Sequence, residues 1–209
     1  MKARLSGGPF SFVQGMDEDL DALIRQADPD RWLSSRFIAD VDARADVVAL
    51  YAFDNELARA PKVASNPLMG EIRLTWWSEA IGEVFERRPV RRHPVTLALE
   101  AAAGRRKLAR QPFDAMIDAR FENLEARPLG PVMRIAAAML GSPEAQIVNA
   151  AEALVDRDPK LLKDANHDLA DLPAAAFPAV AYATLVRAKD PSELEKRFRL
   201  AWAVLRGRL

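Results

Sequence analysis

Residues 51–81 read YAFDNELARAPKVASNPLMGEIRLTWWSEAI, and their spacing predicts two helices joined by a Pro-containing turn. In the first helix Val47, Leu50, Tyr51, Leu57 and Ala58 fall on one stripe at helical spacing, and Asp54 lies on the same stripe. Asn66-Pro67 then opens the second helix, an N-cap side chain followed by a proline whose missing N–H costs nothing at the first helical position. Behind it Leu74, Trp77, Ile81, Val84 and Phe85 form the apolar face, with Arg73 at its edge one turn before Trp77. Consecutive helical residues point about 100° apart, so of the tandem Trp76-Trp77 only Trp77 faces the core and Trp76 flanks it. An acid within an apolar stripe can face inward, and for Asp54 a functional role stands against a hydrogen-bonded helix-packing or surface role, the latter favoured.

The same helical signals recur outward from this pair. Asp28-Pro29 has the same cap-then-proline start, His93-Pro94 and Gln111-Pro112 open further helices, and Gly104 is expected to end the one that begins at Pro94. Phe113, Met116, Ile117 and Leu124 are the expected buried side of the helix after Pro112. Further helices are expected over 130–140, 142–155, 173–187 and 191–206. No alternating β-branched run or Asn-Gly hairpin turn occurs, so no strands are expected. There is no internal repeat and no Gly/Ser linker. One all-α domain over residues 1–209 is the expectation.

Composition narrows the function classes. The chain has 209 residues, 50% hydrophobic and 29% charged, with no net charge, which suits a soluble globular protein and gives no global sign of nucleic-acid binding. It has no cysteine and two histidines, so disulfides, a thiol nucleophile and zinc sites built from several Cys or His are excluded. The first residues, MKARLSGGPFSFVQGMDED, contain no long apolar run and are not expected to be a signal peptide. No stretch reaches the ~18 apolar residues of a membrane span, and the expected compartment is the cytoplasm. Phosphate-binding loops, HExxH and Gly-x-Ser-x-Gly sequences are also missing.

Residues 28–53 (DPDRWLSSRFIADVDARADVVALYAF), the YAF-containing helix, the SNPLMGEIRLTWW run and residues 112–128 (PFDAMIDARFENLEARP) together resemble the squalene/phytoene synthase family of isoprenoid-condensing proteins. The Phe-x-x-Glu-Leu-Ala pattern followed by SNPLMGEIRLTWW is most similar to a divergent branch, which includes the family's mitochondrial complex I assembly factor and its bacterial relatives. The resemblance implies an isoprenoid synthase-like helical bundle, shortened in the middle, where 128–172 offer no counterpart to the family's second aspartate-rich helix. Active members carry an Asp-x-x-x-Asp pair seven residues after the aromatic Tyr, where this chain has Ala58 and Lys62. Ionising an allylic diphosphate needs Mg²⁺ held by hard oxygen ligands, and two Asp at i and i+4 supply them from one helix face. Ala58 offers no oxygen and Lys62 brings a cation, so no catalytic residue, metal ligand or cofactor is expected. Mg²⁺ enters only if the chain is, as the alternative reading has it, an active prenyltransferase. The family's substrate cavity implies Tyr51, Phe53, Asp54, Arg73 and Trp77 as candidates for a remnant pocket, against plain core packing.

Other constellations are weaker. Asp114, Asp118 and Glu122 make a carboxylate row along one helix, read as a solvated outer face. Asp164 and Asp168 have Asp-x-x-x-Asp spacing in the polar stretch DANHDLADLP, read as a coincidental surface match. Between residues 87 and 110 eight basic residues face one acid, Glu100. Arg87, Arg88, Arg91, Arg92, Arg105, Arg106, Lys107 and Arg110 are thus a candidate surface for an anionic membrane or acidic partner, against a solvated face without function. No aromatics are interleaved there to stack bases, so nucleic acid is not expected. The favoured expectation is a non-catalytic protein acting by binding: an accessory or assembly role near the inner membrane, or isoprenoid and lipid binding. Loss of a bundle helix is further expected to leave the face of Leu74, Trp77 and Ile81 for a partner or a second copy, unless residues 173–209 fold into the gap.

Overall fold

The computed structural model describes residues 20–60, 67–143 and 145–209, and among them only helices and turns occur. Residues 20–27 form α1. Then come α2 (Pro29–Ser35), α3 (Val41–Arg59), α4 (Pro67–Phe85), α5 (Pro94–Arg105) and α6 (Gln111–Glu122). The second half holds α7 (Leu129–Met139), α8 (Val148–Val155), α9 (Leu161–Asp168), 3₁₀ turns at Phe177–Ala179 and Ala181–Arg187, and α10 (Glu193–Arg206). The N-terminal stretch read as lacking a signal peptide, Lys62 and Asn66 lie outside the described residues.

Helix α3 is the axis. Its N-cap Asp40 accepts from the Ala43 N–H at 2.9 Å, and residues 46–54 are buried without a break. A helix covered on every side has no polar face to display, and α3 indeed packs against α2, α5, α6 and α7. One continuous hydrophobic core joins Leu20 to Leu209 through it. The proline starts hold at α2, α5 and α6, but the α5 cap is unusual: the Val95 N–H donates to Nδ1 of His93 at 3.3 Å.

Several expectations need correction. Residues 142–155 were expected as one helix, yet Gly141 takes a left-handed φ of 91° and α8 begins only at Val148. The polar stretch DANHDLADLP contributes to α9, because Leu162 and Ala165 supply a narrow buried side. Residues 173–187 form 3₁₀ turns instead of an α-helix. Pro178 cannot donate to a regular ladder, and the run 176–185 is buried on all sides. Leu124 lies beyond the end of α6 and is half-buried, while Arg120 takes the inward position. Leu74 and Ile81 are 0% exposed and Trp77 4%, covered from within the chain, since α4 packs on α5 and α6. The partner-seeking face expected there is therefore closed. The C-terminal segment folds back elsewhere, onto α2, α7 and α8.

Candidate functional site

Asp54 sits one turn after Tyr51 on the inward side of α3 and is 5% exposed. A lone carboxylate at that depth is unaffordable, so neighbouring helices must supply partners. Arg31 of α2 donates from Nη1 to Oδ2 at 2.8 Å, and Arg120 of α6 donates from Nη2 to Oδ1 at 3.0 Å. Arg31 also donates from Nε to Asp28 at 2.6 Å, and its guanidinium lies 5.0 Å over the Tyr51 ring. Tyr51 in turn meets Tyr182 edge-on at 6.4 Å.

The two arginines differ in their electrostatic state. At Arg31 burial disfavours the charge, but Asp54 and Asp28 together outweigh it and hold the guanidinium above the ordinary arginine value. At Arg120 burial wins over Asp54, and repulsion from Arg31 adds to it, so its value is lowered. Nε and Nη1 of Arg120 find no hydrogen-bond partner among the described residues. Burial likewise raises Tyr51 and Tyr182 above the usual phenol range, and neither hydroxyl is hydrogen-bonded among the described residues.

The other sequence candidates do not converge with this triad. Phe53 turns to the opposite side, meeting Trp77 at 5.4 Å and Phe113 at 6.0 Å. Trp77 and the exposed Arg73 border a shallow recess of ≈270 Å³ with Glu56, Ala60, Trp76 and His93. Partial burial lowers the His93 value, Arg59 adding to the effect against Glu56. The five residues taken together as a pocket thus divide into an ion triad, an aromatic packing cluster and a surface recess. Ala58 is half-buried on α3.

The basic stretch is largely neutralised within the chain. Arg88 pairs with Glu86 at 2.8 Å, and Arg91 with Glu79 at 2.5 Å and Glu83 at 3.0 Å. Arg105 and Arg106 both close on the buried Asp46, and Arg110 reaches Glu86 at 3.0 Å and Asp114 at 3.1 Å. Among the described residues Arg87, Arg92 and Lys107 are left outside these pairs. Asp168 accepts from Asn149 at 2.6 Å, and no described cluster of three or more acids or histidines is arranged for a metal. A second, larger cleft of ≈570 Å³ opens between α2 and the 3₁₀ turns, with Arg31 and Tyr182 among its lining residues and Arg127, Arg157, Arg187 and Lys189 also contributing.

Sequence reasoning missed Arg31, Arg120 and Asp46. Arg120 carried a readable signal: it continues the buried spacing Phe113, Met116, Ile117 at i+3 from Ile117. Arg31 carried only the local i,i+3 pairing with Asp28, and its partner Asp54, like the Arg105 and Arg106 that meet Asp46, lies far along the chain.

The family described as squalene/phytoene synthase matches residues 24–140 of this chain. The bovine (Bos taurus) protein "NADH dehydrogenase (ubiquinone) complex I, assembly factor 6" is 28% identical over 113 residues, 54% of this chain and 33% of that protein. The human (Homo sapiens) protein of the same name is 28% identical over 120 residues, 57% of this chain and 35% of that one. The chain thus spans about a third of the length of these curated relatives. The family match contains Arg31, Asp54 and Arg120 and ends before Tyr182 and α10.

Proposed function

The chain belongs to the squalene/phytoene synthase family, and we propose that within it this protein acts by binding, as an assembly or accessory factor, and not by condensing isoprenoid diphosphates. The observation that carries this reading is the state of Asp54. It is the buried carboxylate nearest the family's metal-binding positions, and both its oxygens are taken by guanidinium groups at 2.8 and 3.0 Å. A carboxylate so engaged is a poor ligand for Mg²⁺, which needs hard oxygen donors with charge to spare. Ala58 supplies no donor, and Lys62 brings the wrong sign. Contact among Phe53, Trp77 and Phe113 further supports the reading, because these rings fill space between α3, α4 and α6 where a prenyl chain would need room.

The name shared by the bovine and human relatives supports respiratory complex I as the assembly served and a protein subunit or intermediate as the partner. The site of action in this reading is the inner-membrane surface. No helix among the described residues is long and apolar enough to cross a membrane. A second reading, retained binding of an isoprenoid or other lipid, is favoured by the ≈570 Å³ cleft, in which Leu129, Leu185 and Val186 stand beside basic residues.

The test has two arms. Purified protein with Mg²⁺ and farnesyl or geranylgeranyl diphosphate is expected to yield no squalene, phytoene or cyclopropyl precursor above a boiled control. Removal of the gene is expected to deplete assembled complex I on native gels, with recovery on re-expression. Product formation, or intact complex I in the deletion, would overturn the reading. Pull-down with lipid extraction separates the protein-binding and lipid-binding versions.

A further inference from the structure

Helix α10 is inverted relative to a normal surface helix. Its inner side is narrow: Leu200 and Ala203 are buried, and Lys196 reaches Asp30 of α2 at 2.9 Å. Its most apolar side faces away from the body. Leu194 and Leu205 are each 79% exposed, Phe198 66% and Trp202 47%. At 100° per residue these four and the exposed Ala201 occupy one continuous arc opposite Leu200 and Ala203. Phe198 and Trp202 stack at 6.1 Å with an interplanar angle of 12°, so their rings continue the apolar ridge, and Gly207 closes the helix in the left-handed conformation at φ 60°.

The charges beside the ridge select its partner. Glu195 and Glu193 are each neutralised within the helix, by Arg199 at 2.8 Å and Lys196 at 3.2 Å. Arg197, Arg206 and Arg208 have no ion pair among the described residues, and the Arg206 guanidinium lies 4.6 Å over the Trp202 ring. Along one flank runs a groove of ≈550 Å³, to which Arg187, Arg199, Arg206 and Arg208 contribute alongside Phe198 and Trp202, with Glu195 as its acid. An outward Leu/Phe/Trp ridge bordered by unpaired arginines is the pattern of a helix lying in a membrane interface.

We infer that α10 docks this protein on an anionic phospholipid bilayer, its ridge entering the headgroup–acyl boundary and Arg187, Arg206 and Arg208 taking lipid phosphates. The inference stands on α10 alone and is independent of the assembly role. It also differs from docking through residues 87–110, whose cations are mostly paired.

The test is co-sedimentation with phosphatidylcholine vesicles, with and without phosphatidylglycerol. Binding is expected with the anionic vesicles only and should weaken as salt shortens the screening length from about 10 Å at 0.1 M towards about 3 Å at 1 M. Phe198→Asp combined with Leu205→Asp is expected to lower association at least ~10-fold, since it removes two buried side chains from the interface. Arg206→Glu with Arg208→Glu should do the same, whereas Arg87→Glu with Arg92→Glu should leave binding unchanged. All six positions are exposed, so unaltered melting curves will separate lost docking from lost folding. Anionic vesicles should also blue-shift the tryptophan emission, and Trp202→Phe should remove that shift. Absence of vesicle binding, or binding that survives the Phe198/Leu205 double substitution, overturns the inference. So does a concentration-dependent dimer abolished by that double substitution in a protein that ignores vesicles, which would assign the ridge to a second copy.

Discussion

Replacing Asp54 with Ala isolates what the buried triad contributes. Arg31 keeps its 2.6 Å bond to Asp28 after the change. Arg120 is left with no ion pair among the described residues, its side chain 3% exposed and its Nε and Nη1 already unpartnered. Breaking a buried pair by removing one member costs about 3–5 kcal/mol, because the surviving charge stays desolvated and uncompensated. For a chain of this size each kcal/mol moves the midpoint by roughly 2–4 °C, so Asp54→Ala should melt about 6–20 °C below wild type. The converse change should be milder. Arg120→Met removes the two orphaned nitrogens and leaves Asp54 paired with Arg31 at 2.8 Å. The double variant Asp54→Ala/Arg120→Met should therefore be more stable than Asp54→Ala alone, with a coupling energy of roughly 0.5–3 kcal/mol. Calorimetry or urea melts on all four proteins measure this cycle. The reasoning is refuted if Asp54→Ala melts with wild type, or if the two substitutions simply add.

Three further outcomes are expected. Ser34→Ala removes the 2.7 Å bond its buried Oγ donates to the Pro178 carbonyl, and should cost about 1–3 kcal/mol in urea unfolding; no change would mean that carbonyl is satisfied otherwise. Trp77→Ala should cost about 3–5 kcal/mol through the cavity left against Phe53, whereas a surface tryptophan would cost little. The His93 value is lowered in the folded chain, so the unfolded chain binds the extra proton first. Stability should then be full above the unfolded value near 6.5 and fall as the pH drops through the lowered folded value. In His93→Asn, which keeps a cap acceptor, that part of the acid loss should vanish from melts taken across this range.

Much of the architecture could be read from local chemistry, because the signals that set it are local. Asp28-Pro29 and His93-Pro94 each start a helix with a capping side chain and a ring next to each other, and at α6 the ring of Pro112 serves without a side-chain cap. Trp77 was placed inside and Trp76 at its flank by rotation about one helix axis. What escaped was non-local. Arg31 looks like any surface arginine until α3 and α6 bring Asp54 and Arg120 beside it. The expectation that Leu74, Trp77 and Ile81 lie open rested on a missing helix, and no counting along the sequence reveals that α5 and α6 already cover them. In the basic stretch, likewise, a tally of charges cannot register that Asp46 and Glu86, outside it, each hold two of its arginines. The α10 ridge illustrates the opposite case. Its amphipathic spacing is legible in the sequence, but which side faces the body is decided by α2 and the 3₁₀ turns.

The union of Ser34 with Pro178, and of Tyr51 with Tyr182, joins positions more than 130 residues apart. A ribosome delivers the first partner of each pair long before the second, at roughly 5–20 residues per second. For several seconds the nascent α2–α3 unit must carry the Tyr51 ring and the Arg31–Asp54 pair without their cover. The interval is a window for capture by chaperones or for aggregation, and it closes only when the segment around Pro178 has left the exit tunnel. Ribosome-bound chains halted before and after that segment should therefore differ sharply in protease resistance across α2 and α3, although those helices are complete in both.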